Sequence, residues 1–140
     1  MGRPDVNRWL SVALLIGSVY LVAGVVLGAL AGGAATHQMV VTWRLAAWVV
    51  SMVAFLVHLW YEQSRVHSSP RVTAFHVTVA VALGASGLAA AALLRALVTG
   101  TGKPVLLAIS LVVWPLMAGI PAFLVALVIA TVLARRHQRA

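Results

Sequence analysis

The stretch Trp43–Arg71, WRLAAWVVSMVAFLVHLWYEQSRVHSSPR, decides the fold class of this chain. It begins as an apolar segment in which small and polar residues recur at helical spacing, within an arc of about 80° at about 100° per residue. A soluble amphipathic helix would carry more charge on its polar face. We therefore expect a transmembrane helix whose thin polar seam faces other helices. The seam consists of Arg44, Ala47, Ser51, Ala54, His58, Glu62 and Arg65. The bulky residues expected to face lipid are Leu45, Val49, Met52, Leu56 and Leu59.

The composition of the whole chain points to the same class. Of 140 residues, 63% are hydrophobic and 9% are charged, whereas about a quarter of residues are charged in soluble domains. We expect one integral membrane domain over residues 1–140 and no separate soluble module. The net charge of +8 is spread over helix ends and short loops, which suits lipid headgroups and not nucleic acid. Because the chain has no cysteine, thiol catalysis, disulfides and thiolate metal sites are excluded.

Four apolar segments reach the length of about 20 residues that a membrane-spanning helix needs. Short connections between them predict an all-α, antiparallel four-helix bundle. The predicted spans are about 9–35, 43–62, 72–98 and 104–134, and the predicted loops are 36–42, 62–71 and 99–103. In the last span, Pro115 and Pro121 predict a kink or a break, because proline lacks an N–H and crowds the preceding turn.

The distribution of Lys and Arg predicts the orientation in the membrane. Cytoplasmic flanks and short loops of membrane proteins carry an excess of these residues. The two tails and the second loop carry seven, and the other side carries three. We therefore expect a multi-pass protein of a cytoplasmic-type (inner) membrane with both termini in the cytoplasm. The seven are Arg3, Arg8, Arg65, Arg71, Arg135, Arg136 and Arg139, and the three are Arg44, Arg95 and Lys103.

Small residues at helical spacing predict where helices approach one another closely. Glycine lets a neighbouring backbone come near, and this is a main source of helix association in lipid. The first span carries a GxxxGxxxG pattern, the third span has its own small-residue stripe, and the last span repeats alanine every four residues from Ala118 to Ala134. The glycines that we expect in helix packing are Gly24, Gly28, Gly32, Gly84 and Gly87.

Two histidines are the sharpest candidates for chemistry. His58 and His76 lie nine positions on either side of His67 in the predicted second loop. A hairpin therefore places them at one depth, and Glu62 follows His58 by one turn on the same face. His58, Glu62 and His76 can ligate a transition metal, His58 and His76 can ligate haem b axially, and histidine with glutamate can relay protons. The competing interpretation is structural: each histidine reaches water, a headgroup or a carbonyl, and Glu62 pairs with Arg65.

The sequence indicates no catalytic machinery, so the leading hypothesis is a non-enzymatic accessory or structural subunit. It would pack in the lipid bilayer with other membrane proteins or with copies of itself, and it would not bind nucleic acid. The first alternative is a redox membrane anchor that binds haem or a metal through His58 and His76. The second alternative is a small oligomeric transporter or channel that uses the polar seam.

Overall fold

The computed structural model describes residues 6–66 and 69–137, with side chains for 9–64 and 69–135. The described chain is helical and contains no strand. Its α-helices are α1 (Val6–Gly32), α2 (His37–Tyr61), α3 (Pro70–Thr99) and α4 (Pro104–His137), and one π-helical turn covers Glu62–Val66. All four α-helices are long and apolar enough to cross a membrane. The predicted all-α, four-span membrane fold is confirmed.

The first two connections are shorter than the sequence predicts. The predicted loop at 36–42 is wrong, because α2 already begins at His37 and the connection covers only 33–36. The Thr36 hydroxyl accepts a hydrogen bond from the backbone N–H of Met39 at 3.3 Å, and such a cap stabilises a helix start. At the second connection, helical backbone continues beyond Tyr61 through the π-turn, and α3 begins at Pro70.

Helix α3 is central to the packing. It packs most extensively against α4 and also packs against α1, and α1 packs in turn against α2. Helix α2 touches α3 only sparsely. The helices therefore follow the order α2, α1, α3, α4, and the two outer helices each have one principal neighbour.

The core is built from small residues between long helices. Ala13, Ala74, Ala80 and Ala126 are fully buried together with Val77. The α1–α3 contact is tightest at Gly84, where an added Cβ would lie 2.5 Å from the Cβ of Tyr20 and 3.2 Å from the carbonyl oxygen of Gly17. Because no side chain fits there, the two backbones approach more closely than larger residues would allow.

The outer surface is covered by large apolar side chains, as lipid contact requires. Four of the five bulky α2 residues expected to face lipid are exposed, but the fifth prediction is wrong: Leu59 is only 2% exposed and belongs to the core. Helix α4 is also unbroken at Pro115 and Pro121, which both lie inside it. Prolines are tolerated in membrane helices where neighbouring groups restore the lost hydrogen bonding.

Candidate functional site

The π-turn places a carboxylate inside the bundle. The backbone N–H of Glu62 donates to the carbonyl oxygens of both His58 and Leu59, and the π-turn begins at Glu62. The Glu62 side chain is 1% exposed. Glu62 is thus an ionisable residue buried near the end of a predicted span.

The Glu62 carboxylate lies between the two predicted histidines and is hydrogen-bonded to one of them. His76 Nδ1 donates to Glu62 Oε2 at 3.1 Å, and His58 Nε2 lies 3.9 Å from Glu62 Oε1. Sequence reasoning thus placed these residues near one another correctly, although it offered Arg65 as the structural partner of Glu62. The Arg65 side chain lies outside the described residues. The bridge joins α2 to α3 where these helices otherwise make few contacts.

Trp9 completes this cluster from α1. Its indole stacks on the His76 ring, with ring centroids 4.6 Å apart and an interplanar angle of 2°. In the sequence, Trp9 is simply the first residue of the first predicted span. Its position in the sequence indicates its depth in the bundle. Its contact with His76, however, depends on how α1 and α3 pack against each other. We call Trp9, His58, Glu62 and His76 the polar cluster.

Several buried polar atoms at this end lack hydrogen-bond partners. Both ring nitrogens of His58 and the hydroxyl of Thr73, one turn before His76 on α3, are buried and have no partner among the described residues. A buried polar group without a partner costs about 1–3 kcal/mol. Such groups inside a membrane helix bundle are by default functional candidates. The polar cluster therefore contains one hydrogen bond, between His76 and Glu62, and buried polar atoms that could form further hydrogen bonds.

The metal and haem hypotheses meet a geometric constraint. Among the described residues, no group of three or more His, Cys, Asp or Glu side chains is arranged to hold a metal ion. The Glu62 carboxylate also contacts both imidazoles. Axial ligation of one iron by His58 and His76 would require Glu62 to leave that position. Binding of haem or a metal by these residues stays a prediction.

The glycines expected in packing fall into two groups. A Cβ at Gly24 would meet Leu88 at 2.7 Å, and a Cβ at Gly87 would meet Leu21 at 3.1 Å, so both face a neighbouring helix, as Gly84 does. At Gly28 and Gly32, an added Cβ has nothing within 4 Å among the described residues. The GxxxGxxxG pattern thus faces α3 at its first glycine and is open at the other two.

Comparison with protein-family models, with curated proteins and with solved structures finds no match for this chain. What the fold establishes is a small multi-pass membrane protein with a buried histidine–glutamate cluster at one end.

Proposed function

We propose that this protein is a non-enzymatic accessory or structural subunit that packs in the membrane with other membrane proteins or with copies of itself. The observation that supports this is the open pair Gly28 and Gly32 on α1. Within the described chain no neighbour uses the close approach that these two glycines allow. A helix from another chain gains close backbone contact there, whereas lipid gains little from a missing side chain.

Gly28→Leu tests this proposal, with Val26→Leu as the matched control. Val26 is exposed on a different face of α1. Each change should leave the folding of the single chain intact, because both positions are open. Association, measured by native mass spectrometry in nanodiscs alone and with co-purified membrane proteins, should be lost in Gly28→Leu and kept in Val26→Leu. Equal association in both variants contradicts the proposal.

A small oligomeric transporter or channel is a second candidate, and the polar cluster favours it. A buried carboxylate bridged to an imidazole can take up and release a proton, and intramembrane Glu and His serve in proton pathways. The protein in vesicles with a pH-sensitive dye should then show proton flux that Glu62→Gln abolishes. The control is Ser64→Ala, because the Ser64 hydroxyl donates only to the Trp60 carbonyl. Flux that is absent from the unchanged protein, or unaffected by Glu62→Gln, removes this candidate.

The redox alternative has its own measurement. A purified protein that binds haem b shows a Soret band, and both His58→Ala and His76→Ala should abolish it. For a metal ion, elemental analysis should show its release in both variants. A colourless, metal-free protein excludes the redox anchor, and a chromophore lost with one histidine only excludes the paired ligands.

The proposed orientation places both termini and the connection between α2 and α3 in the cytoplasm, because Lys and Arg are concentrated there. Single cysteines are easy to introduce into a chain that has none. A membrane-impermeant thiol reagent applied to intact cells should label cysteine at Thr36 or Thr101 and fail at Ser68 or Gln138. The opposite labelling pattern reverses the orientation.

A further inference from the structure

An exposed tryptophan lies at the middle of the outer helix α2. Trp48 is the twelfth of 25 residues in α2 and is 71% exposed. Its Nε1–H has no hydrogen-bond partner among the described residues. Tryptophan in membrane proteins usually lies at the interface, where its N–H meets water or headgroups. At mid-span the acyl chains offer the Trp48 N–H no acceptor.

A proline lies on an exposed part of the other outer helix, α4, and removes one backbone hydrogen-bond donor there. Pro121 has no N–H, so the carbonyl of Met117, four residues earlier, loses its α-helical donor. Pro121 is exposed and Met117 is 69% exposed, so this part of α4 points away from α3. An unsatisfied carbonyl in hydrocarbon is destabilising, so an external donor would stabilise the Met117 carbonyl.

The donor and the acceptor lie at similar distances along their helices. Helices α1 and α2 form one hairpin and α3 and α4 form another, and α1 runs parallel to α3, so α2 and α4 begin at the same end of the bundle. At a rise of about 1.5 Å per residue, Trp48 lies about 16 Å from the start of α2 and Met117 about 20 Å from the start of α4. A tryptophan side chain is long enough to bridge this difference.

We propose that a second copy of this chain docks its α4 against α2, with the Trp48 N–H donating to the Met117 carbonyl. This inference rests on the proposed function and names the partner as a copy of the chain. The two helices occupy opposite edges of the packing order α2, α1, α3, α4. Two copies in the same membrane orientation therefore bring α2 and α4 together in parallel, with both groups at matching depth. A lipid acyl chain supplies neither group.

Such a contact joins two different surfaces, so it is heterologous and builds rings or open arrays in place of a closed two-fold dimer. Cysteine cross-linking tests this directly, because the chain has no native cysteine. Met52 lies one turn after Trp48 on α2, and both Met52 and Met117 are exposed. Co-expressed single variants Met52→Cys and Met117→Cys, carrying different tags, should form a mixed cross-linked dimer. The double variant should form a ladder of larger species.

The control is Val112→Cys, an exposed position on another side of α4. It should give no mixed dimer with Met52→Cys. A cross-link formed by Met52→Cys alone or by Met117→Cys alone indicates a two-fold contact and overturns the inference. The absence of a mixed dimer overturns it as well.

The hydrogen bond itself is tested by two further changes. Trp48→Phe removes the donor and keeps a ring, and Pro121→Ala gives the Met117 carbonyl an internal donor. Each should weaken self-association about three- to tenfold, the range of interhelical hydrogen bonds in membranes. Pro121→Ala should do so although it makes α4 more regular, which a purely structural role of Pro121 does not explain. Trp60→Phe and Pro115→Ala are the matched controls and should leave association unchanged.

These experiments separate the inference from the proposed function. If the protein self-associates or binds other membrane proteins but Trp48→Phe and Pro121→Ala have no effect, the α2–α4 contact is wrong and the proposed function stands. If it remains monomeric in nanodiscs and also captures no membrane protein, both are wrong. Association weakened about three- to tenfold in Trp48→Phe and in Pro121→Ala, together with the mixed cross-link when Trp48 and Pro121 are unchanged, supports both.

Discussion

The polar seam of α2 is exposed at one end of the helix and buried at the other. At its beginning, Arg44 is exposed, and all three buried residues of α2 (Phe55, His58 and Leu59) lie in its last two turns. Beyond them, Glu62 is buried and bridged to α3. Residues at one spacing and on one face thus become an exposed arginine at one end and a buried cluster at the other. Helical periodicity does not decide whether a seam is covered; the neighbouring helix does.

The same contrast is visible on α1. Near the polar cluster, Trp9 stacks on His76 and Gly17 touches α3, whereas an added Cβ at Gly28 or Gly32, near the other end, meets nothing within 4 Å in the described part of the chain. At the end near the polar cluster, residues of α1 contact residues of α3. At the other end, the glycines that would allow a helix to approach closely are not in contact with another described helix. This difference predicts that substitutions near the polar cluster lower the stability of the single chain more than substitutions near the other end of the bundle.

The largest effect is expected for Glu62→Ala at the polar cluster. Removing one partner of a buried bridge leaves the other uncompensated, which costs about 3 kcal/mol of unfolding free energy. Reversible unfolding in mixed detergent micelles measures this. Glu62→Gln should cost less, since its amide oxygen still accepts a hydrogen bond from His76. Ser64→Ala, one half-turn further on, serves as the control and should change the unfolding free energy little. Equal unfolding free energies for Glu62→Ala and Ser64→Ala would show that the bridge is not stabilising.

Glycine-to-alanine substitutions on α1 and α3 should have the next largest effects, and these should decrease from Gly84 to Gly24 to Gly28. An alanine Cβ at Gly84 meets the Tyr20 Cβ and the Gly17 carbonyl, which cannot easily move, so Gly84→Ala should cost about 1–3 kcal/mol. At Gly24 the Cβ meets only the tip of Leu88, which can rotate away, so the cost should be smaller. Gly28→Ala should be neutral or slightly stabilising, because the position is open and alanine favours a helix. The same unfolding measurement checks the order, and a costly Gly28→Ala in a single chain would contradict the contrast between the two ends.

The smallest effect is expected for the aromatic stack. Trp9→Leu keeps an apolar side chain but removes the ring that lies flat on His76, a loss of about 0.5–1.5 kcal/mol. Trp114→Leu, at an exposed position on α4, should leave the stability of the single chain unchanged. Thermal unfolding in detergent resolves the two if they are compared under one condition. If both variants behave alike, the stack contributes nothing beyond apolar contact.

Much of the polar cluster was predictable from sequence, because it depends on local geometry. His58 and Glu62 are four residues apart on one helix, and the symmetric spacing of His58 and His76 about the hairpin sets their common depth. Trp9 was not predictable as a member, because its contact crosses between helices that are far apart in sequence. The burial of Leu59 was missed for the same reason: its angular position on α2 marked it as bulky surface, but the crowded end of the bundle covers it.

The sequence by itself determined the membrane class, the four spans and the seam positions, because hydrophobic length and periodicity are properties of each segment alone. Only the tertiary structure decided which seam positions acquire a partner. It placed α3 at the centre, closed the α1–α3 contact at Gly17 and Gly84, buried Glu62 between two histidines, and left Gly28, Gly32 and the outer faces of α2 and α4 open. These outcomes depend on how whole helices pack against one another, and that packing is set by small residues acting together across segments distant in the chain.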